Sequence, residues 1–322
     1  MEKVVTVILI LSLCFMPVQI QAKSVTSGTD GNGNKWTYNT STKTLTFTGN
    51  KAISDFAMNG HDREPSWYRW SNKTEHIVIE EGITGIGSEA FAGFVKVLSV
   101  NIPYTVKKIK RSSFENNYRL REIQIPNEVI SIGDKAFAGC YGLKNLSLPS
   151  KLNYVGSFEF CRNIKSISLP DSIKDTADGM FTGCEMMTSV KLPRKLKSIK
   201  SYDFADCRKL TKLNIPVTVK VVYMSAFAGS GLKKIVLPSN VQKIRNGNDG
   251  QKVFEYIKGI GYPTKNLRVI EIHSKKVKSI QKNSFSGLSS KVVIKVPKSK
   301  KKKYTKMLRK SGLSKKVKIC NL

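Results

Sequence analysis

Four of the six cysteines recur at one position of a repeating motif. The segment IGDKAFAGC, residues 132–140, places Cys140 beside Gly and Phe. A cysteine in this setting can be a reactive thiol, a metal ligand or a small apolar side chain that fills space. Phe-x-x-Cys recurs at Cys184 and Cys207, and Cys161 holds the same phase. One residue type at one phase of a repeat indicates architecture before chemistry.

The expected compartment and the cysteine count favour buried, reduced thiols. Residues 1–22 match a secretory signal, because Lys3 gives a positive start, residues 4–15 are apolar but too short to span a bilayer, and Ala22 is a small residue at the cleavage point. Export would place cysteines in an oxidising space. Loss of Cys14 with the signal leaves an odd number, and four stacked at one phase form a column rather than pairs. We therefore favour a reduced column over a disulfide framework.

The remaining residues that could do chemistry do not converge. His61, His76 and His273 are widely separated, and the last two fall on strands at opposite ends of the expected array. The cysteines form no Cys-x-x-Cys pair, which argues against zinc. We find no phosphate-binding glycine loop, no HExxH and no nucleophile elbow. The sequence thus predicts no catalytic residue, no metal and no cofactor, and an enzyme stays a distant alternative.

Pairs of a hydrophobic residue and proline set the period that positions the cysteines. The prolines are Pro103, Pro126, Pro149, Pro170, Pro193, Pro216 and Pro238, at steps of 21 to 23 residues. An alternating apolar stretch precedes each one, as in residues 143–148, and predicts a short strand. Eleven residues after six of the prolines comes one large apolar knob: Phe114, Phe137, Phe160, Phe181, Phe204 and Phe227. Stacking such coils at about 4.8 Å encloses a continuous core and predicts a β-rich solenoid.

The motif IGDKAFAGCYGLKNLSLP, residues 132–149, resembles the leucine-rich repeat of the BspA type, found in many bacterial surface and secreted proteins. The resemblance covers residues 77–297 and implies a leucine-rich repeat solenoid of about 22–23 residues per coil. It also implies a β-rich N-terminal cap and a helix-strand C-terminal cap that shield the solenoid ends. We therefore divide the chain into a signal peptide (1–22), an N-terminal cap (23–74), the solenoid (75–297) and a basic C-terminal cap (298–322).

An insertion interrupts the repeat at about residues 245–266. The interval from Pro238 to His273 is longer than the usual repeat, and we expect Phe254 to take the knob position of that coil. Glycine-rich parts of the insertion would then bulge outward, with Phe254, Tyr256 and Tyr262 as candidate binding residues. Insertions in repeat proteins often carry binding, but a tolerated surface loop is an equal alternative.

Positive charge dominates the composition, with 55 Lys and Arg against 23 Asp and Glu and a net charge of +32. Residues 272–322 contain no acid. On the outward face of the strands before the prolines, the candidate binding residues are Lys191, Lys212 and Lys234. In the basic cap, they are Lys300, Lys301, Lys302, Lys303, Lys306 and Arg309. Tyr304, Met307 and Leu308 form a helical stripe that would dock on the last coil and point the lysines outward. The basic face is either merely solvated or attached to anionic wall polymers, acidic glycans or lipid surfaces.

These observations predict a secreted, non-catalytic, adhesin-like interaction protein that binds host or cell-wall material through the solenoid and the basic C-terminal region. The expected partners are a host or bacterial surface protein or an anionic polymer. Nucleic acid is disfavoured, because Tyr304 is the only aromatic among the cap lysines and stacking platforms need several. A wall-associated structural spacer without a specific ligand is the alternative. We expect no transmembrane segment and noncovalent retention at the cell surface, since no sorting motif follows the cap.

Overall fold

A computed structural model describes residues 25–56, 65–247 and 264–322. In chain order its strands are β1 (Val25–Thr29), β2 (Lys35–Asn39), β3 (Thr44–Thr48), β4 (His76–Ile79), β5 (Gly85–Ile86), β6 (Ser99–Asn101), β7 (Lys108–Ile109), β8 (Glu122–Ile123), β9 (Ser131–Ile132), β10 (Tyr154–Val155), β11 (Ser166–Ser168), β12 (Ser189–Lys191), β13 (Ser198–Ile199), β14 (Val221–Tyr223), β15 (Lys234–Leu237), β16 (Lys243–Arg245), β17 (Val269–Ile272), β18 (Ser279–Ile280), β19 (Val293–Val296) and β20 (Lys318–Asn321). The helix α1 spans Lys301–Lys310, and single 3-10 turns lie at Tyr68–Trp70, Met224–Phe227 and Lys298–Lys300.

Two parallel ladders of strands run along the solenoid. The first ladder contains β4, β6, β8, β11, β12, β15, β17, β19 and β20, and the second contains β5, β7, β9, β10, β13, β14, β16 and β18. Paired residues lie one repeat apart, as Ser166 with Ser189 in the first ladder and Lys108 with Ser131 in the second. Most coils therefore supply a strand to both ladders. Among the described residues, the first ladder has no regular strand in the coils of residues 143–148 and 210–215, and the second has none at residues 173–178. The predicted leucine-rich repeat solenoid is confirmed.

The N-terminal end is a β-rich cap built from β1, β2 and β3, which pair antiparallel. β3 pairs in parallel with β4, so the cap continues directly into the first ladder. The buried indole of Trp36 donates a hydrogen bond to Ser66 Oγ at 3.0 Å. The buried indole of Trp67 donates to the Ala90 carbonyl at 3.0 Å. The first contact holds the cap together, and the second fastens it to the first coil, whose apolar end would otherwise be exposed.

A column of buried phenylalanines fills the side of the coils opposite the first ladder. Neighbouring rings stack with centroids 5.4 to 6.5 Å apart. The column contains Phe91, Phe114, Phe137, Phe158, Phe181, Phe204 and Phe227. Each ring is at most 1% exposed, so the stack provides the continuous core that an isolated coil lacks.

The predicted knob at Phe160 is wrong, because Phe158 occupies that place in the column. This coil is two residues shorter than its neighbours, and the deletion lies before the knob rather than after it. Phe158 therefore keeps the spacing to Cys161 that Phe137 has to Cys140. Phe160 is left at the surface, where 46% of it is exposed.

The C-terminal end is closed by α1 and β20. Tyr304 and Leu308 of α1 are fully buried. The Tyr304 hydroxyl donates to the Ser274 carbonyl and accepts from the Val277 amide, both at 3.0 Å. β20 then pairs in parallel with β19 and extends the first ladder. The predicted helix-strand cap is thus confirmed. In the residues that the structure describes, no helix has the length and apolarity needed to cross a bilayer.

Candidate interaction surfaces

The cysteine column is buried and its thiols are unpaired with one another. Cys140, Cys161, Cys184 and Cys207 have no exposed surface, and none forms a disulfide. Each thiol donates to the carbonyl of a phenylalanine in the preceding coil at 3.1 to 3.2 Å. Burial raises the pKa of all four thiols, that of Cys161 to about 12. At neutral pH they are neutral packing groups rather than nucleophiles.

The two described histidines lie in different coils with different partners. His76 Nδ1 lies 2.8 Å from Ser99 Oγ on the next strand of the first ladder. His273 directly follows β17, and its Nε2 lies 3.0 Å from Glu271 Oε2. His61 falls outside the described residues. Within those residues, no three or more His, Cys, Asp or Glu side chains are grouped so that they could hold a metal ion.

The three lysines predicted on the outward strand face occupy three successive coils. Lys191 ends β12 and Lys234 begins β15, and both are exposed. Lys212 is also exposed but lies in a coil where the first ladder has no regular strand. Lys234 Nζ lies 2.9 Å from Glu271 Oε1. The lysines therefore follow the predicted face, but one of the three is already engaged by a carboxylate of the chain.

Glu271 is the centre of a charged cluster across three strands of the first ladder. Its side chain is 10% exposed and contacts Lys234 on β15, Lys295 on β19 at 3.4 Å and His273 at 3.0 Å. Burial alone would raise the pKa of this carboxyl, but the hydrogen bonds from His273 and the two lysines outweigh it and lower the pKa to about 2. The cluster ties β15, β17 and β19 together.

The basic cap presents a row of cations on a docked helix. Lys301, Lys302, Lys303 and Lys306 of α1 are exposed, whereas Lys300 is half-buried before the helix begins. The guanidinium of Arg309 donates to the carbonyl oxygens of Ser314 and Val317. Arg309 therefore closes the cap internally. The outward cations of α1 are its exposed lysines, which are the four named above and Lys310 at the end of the helix.

The insertion lies almost wholly outside the described residues. Phe254, Tyr256 and Tyr262 belong to that part, so the structure gives no contact for them. Arg245 is the last residue of β16, and its guanidinium lies over the Tyr223 ring at 5.8 Å from the centroid. The proposed role of the insertion remains a prediction.

A further surface, which the sequence did not lead us to predict, follows the cysteine column. We call it the post-cysteine edge and define it as residues 116–121, 139–144, 160–165, 183–188 and 206–211. In each of these coils, one residue directly follows the position that cysteine takes in four of them. These residues lie on the edge and are Tyr118, Tyr141, Arg162, Glu185 and Arg208. Tyr118 and Tyr141 stack with centroids 4.8 Å apart, and the Arg162 guanidinium lies 4.7 Å from the Tyr141 centroid. The signal in the sequence is the run of aromatic and charged residues at one phase.

Comparison with known protein families identifies the repeat. The model of the BspA type leucine rich repeat region matches the chain in six copies, over residues 64–185, 156–260 and 250–321. No curated protein sequence matches the chain. The family match supports a protein-interaction or cell-surface role and a secreted or surface location, and proteins of this repeat class are generally non-catalytic.

Solved structures with the same architecture include two bacterial leucine-rich repeat proteins. One, from Bacteroides ovatus, is 24% identical, with 89% of this chain and 77% of that chain covered and a TM-score of 0.63. Another, from Eubacterium ventriosum, is 17% identical, with 85% and 84% covered and a TM-score of 0.57. At these identities the likeness shows the fold alone.

Proposed function

Because the chain belongs to the BspA-type leucine-rich repeat family, we propose that it is a secreted, non-catalytic surface protein that attaches to anionic polymers of the cell wall or of host material. The attachment surface is the basic C-terminal cap, supported by the lysines of the last coils. The solenoid holds this cap in place and carries no catalytic step. Retention at the cell surface would then be electrostatic and noncovalent.

The observation that carries this proposal is the placement of the α1 lysines. Lys301, Lys302, Lys303 and Lys306 are exposed on a helix whose opposite side is buried through Tyr304. They are thus held on a docked element, and no acid occurs from residue 272 to residue 322 to neutralise them. A fixed group of cations without local carboxylates is available to an external anion.

The position of these lysines within α1 gives a second argument. Three of them form the first turn of the helix, which contains no acid and has no side chain capping its amides. The amino end of a helix carries partial positive charge, so lysines there are unfavourable for the isolated protein. An anion bound at this end would interact with both the lysines and the positive end of the helix dipole. The arrangement costs stability in the free chain and favours anion binding.

Most of the net positive charge of the chain lies in its C-terminal part, toward the basic cap. Residues 1–135 contain 16 Lys and Arg against 13 Asp and Glu, a net charge of +3. Residues 136–322 contain 39 against 10, a net charge of +29, and the two parts sum to the +32 of the chain. Coils stack in chain order, so the positive potential rises toward the basic cap. This gradient would steer the C-terminal end toward an anionic surface.

Binding of the full chain to immobilised poly(glycerol phosphate) and to a sulfated glycan tests the proposal, with an uncharged glucan as reference. The variant replaces Lys301, Lys302, Lys303 and Lys306 by Gln, which keeps helix propensity nearly unchanged. Because a lysine near an anionic lipid surface contributes about 1 kcal/mol, we expect the four changes to weaken polyanion binding by at least about tenfold. Parent binding should also fall steeply between about 0.1 M and about 1 M salt.

A matched control removes four other positive charges, on the second-ladder side of the solenoid. Lys107, Lys174, Lys197 and Lys220 are exposed there, away from the last coils, and are also replaced by Gln. The control should retain most of the polyanion binding. Equal losses in both variants would mean that only the net charge matters. No loss in either variant would favour a structural spacer without a charged ligand.

A further inference from the structure

The post-cysteine edge concentrates exposed apolar side chains on one side of the central coils. Tyr118 is 40% exposed, Phe160 46% and Met186 40%. They lie in three coils within residues 118–186, on the turns beside the cysteine position of each coil. Tyrosine, arginine, phenylalanine and methionine are the residue types enriched in the centres of protein interfaces.

Phe160 is exposed although its backbone conformation is costly. Its φ is +58°, in the left-handed region that glycine adopts freely and bulky residues rarely do. The equivalent residues of the neighbouring coils are Gly139 and Gly183, with φ of +72° and +70°. The Phe160 ring lies directly on Gly183, where an added Cβ would come within 2.6 Å of ring atom Cδ1. Since the ring contributes nothing to the phenylalanine column, the strain at Phe160 points to a role at the surface.

The tyrosines of this edge are arranged in a way that suits a protein better than a sugar or a base. Tyr141 has Tyr118 of the preceding coil at 4.8 Å and Arg162 of the following coil at 4.7 Å, so both faces of its ring are covered. Ligands that stack need an open ring face. What remains accessible along the ladder are ring edges, hydroxyl groups and guanidinium groups, which side chains and backbone of a protein partner can contact.

The net positive charge of the edge indicates that its partner is acidic. Within its five segments the basic residues are Arg119, Arg121, Lys144, Arg162, Lys165, Arg208 and Lys209, against the two acids Glu185 and Asp206. Glu185 already lies between two of these cations, 3.8 Å from Arg162 and 3.4 Å from Arg208. Arg162 and Lys165 of this excess lie in the same coil as Phe160, and the Met186 amide donates to the Arg162 carbonyl.

We propose that the post-cysteine edge is a docking surface for an acidic protein segment that places an apolar side chain against Phe160 and Met186. Carboxylates of the partner pair with the arginines of the rim, where Arg162 is already held by Tyr141. The apolar side chain contributes most of the affinity, because it becomes fully desolvated at the centre of the contact. This surface is separate from α1 and does not depend on the polyanion attachment proposed above.

Selection from a displayed library of random linear peptides against the full chain tests this inference. Clones are then screened against Phe160→Gly, which restores the residue type of the neighbouring coils and removes the backbone strain. We expect a class of clones rich in Asp and Glu around one or two large apolar residues. These clones should lose about tenfold or more in affinity for Phe160→Gly, as when an interface hot spot is removed.

Two further variants separate the edge from the rest of the surface. Tyr104→Ala removes another exposed aromatic, 68% accessible and outside the edge, and should leave the binding of this class unchanged. The α1 variant that lacks four lysines should bind these peptides within about threefold of the parent, since screened charges act over only about 10 Å. The inference is overturned if no clone class distinguishes Phe160→Gly from the parent, if the sensitive clones are basic, or if Tyr104→Ala weakens binding equally. Loss of polyanion binding in the α1 variant would leave this result unaffected.

Discussion

At the scale of single residues, burial decides what the cysteines of this chain can do. Each column thiol is enclosed between coils and donates to a phenylalanine carbonyl. The cost of burying a thiolate raises the pKa of these groups. Cys320 on β20 is only half-buried and lies outside the column.

We predict that the four column cysteines resist alkylation in the folded protein and react only after unfolding. Their raised pKa keeps the thiol form dominant at pH 7 to 8, and the thiolate is the reactive form. Cys320 should react in the native state and serves as the internal reference. Mass spectrometry of peptides after iodoacetamide treatment, with and without denaturant, measures both. Native labelling of Cys140 or Cys184 at the rate of Cys320 would contradict the prediction.

The second prediction at the residue scale compares Phe158, which lies in the phenylalanine column, with Phe160, which lies at the surface two positions later. Phe158→Ala removes a ring from the stacked column and should lower the free energy of unfolding by about 3–5 kcal/mol. Phe160→Gly removes an exposed ring and relieves a positive φ, so its effect should stay within about 1 kcal/mol and can be stabilising. Urea denaturation of both variants measures the difference. A larger loss for Phe160→Gly would restore the original assignment of the knob.

Sequence reasoning could locate the column but not every member of it. Counting from proline to phenylalanine assumes that each coil is intact on that side, and this count fails where the coil is short. Counting back from Cys161 gives the correct residue, Phe158, because the deletion lies on the proline side. Phe158 and Phe160 are so close in the sequence that either could be assigned as the knob. The ring stacking of Phe158 between Phe137 and Phe181 decides for Phe158.

At the scale of elements, the two ladders differ in how well the sequence indicates them. The alternating apolar residues before each proline predict the strands of the first ladder. Most strands of the second ladder contain only two residues, such as β5 and β7, which is too short for a period to be visible. They exist because neighbouring coils align their backbones, a tertiary effect. The helix α1 was predictable, because Tyr304, Met307 and Leu308 form an apolar stripe at helical spacing.

The charged cluster at Glu271 leads to a prediction about how three elements are held together. The folded-state pKa of Glu271 is about 2, below its ordinary value of 4.5, so the charged form is stabilised by folding. The contribution is therefore fully present above about pH 4.5 and is lost as the pH falls toward about 2. Removing a hydrogen-bonded charge of this kind costs about 1.5–3 kcal/mol.

Glu271→Gln should therefore be less stable than the parent at pH 7 by about that amount, and the difference should shrink between pH 4.5 and pH 2. Paired urea titrations across this range isolate the contribution of Glu271, because other carboxyls titrate equally in both proteins. Glu122→Gln, at the exposed first residue of β8, is the control and should show little difference at any pH. A pH-independent difference for Glu271→Gln would mean that packing rather than charge holds the cluster.

At the scale of the whole molecule, stacking in chain order turns a sequence gradient into a spatial one. The net charge of +3 in residues 1–135 and +29 in residues 136–322 becomes a polarity along the solenoid axis. This feature of the candidate site could be predicted from the sequence, since repeats translate position in the chain into position in space. The post-cysteine edge has only a weak signal, the aromatic and charged residues at one phase, because the sequence does not show which of these side chains stack on one another and which stay exposed.

The axial polarity predicts that the protein approaches a polyanion with its C-terminal coils. Bound to poly(glycerol phosphate) at about 0.1 M salt, the chain should show slower amide hydrogen exchange at α1, β18 and β20 than in the free state. Strands β1 to β4 should exchange at unchanged rates, because their end carries little net charge. Raising the salt to about 1 M shortens the reach of exposed charges to about 3 Å and should abolish the protection. Uniform protection along both ladders, or protection centred on the N-terminal cap, would show that the polymer lies along the solenoid and that the charge gradient does not orient the molecule.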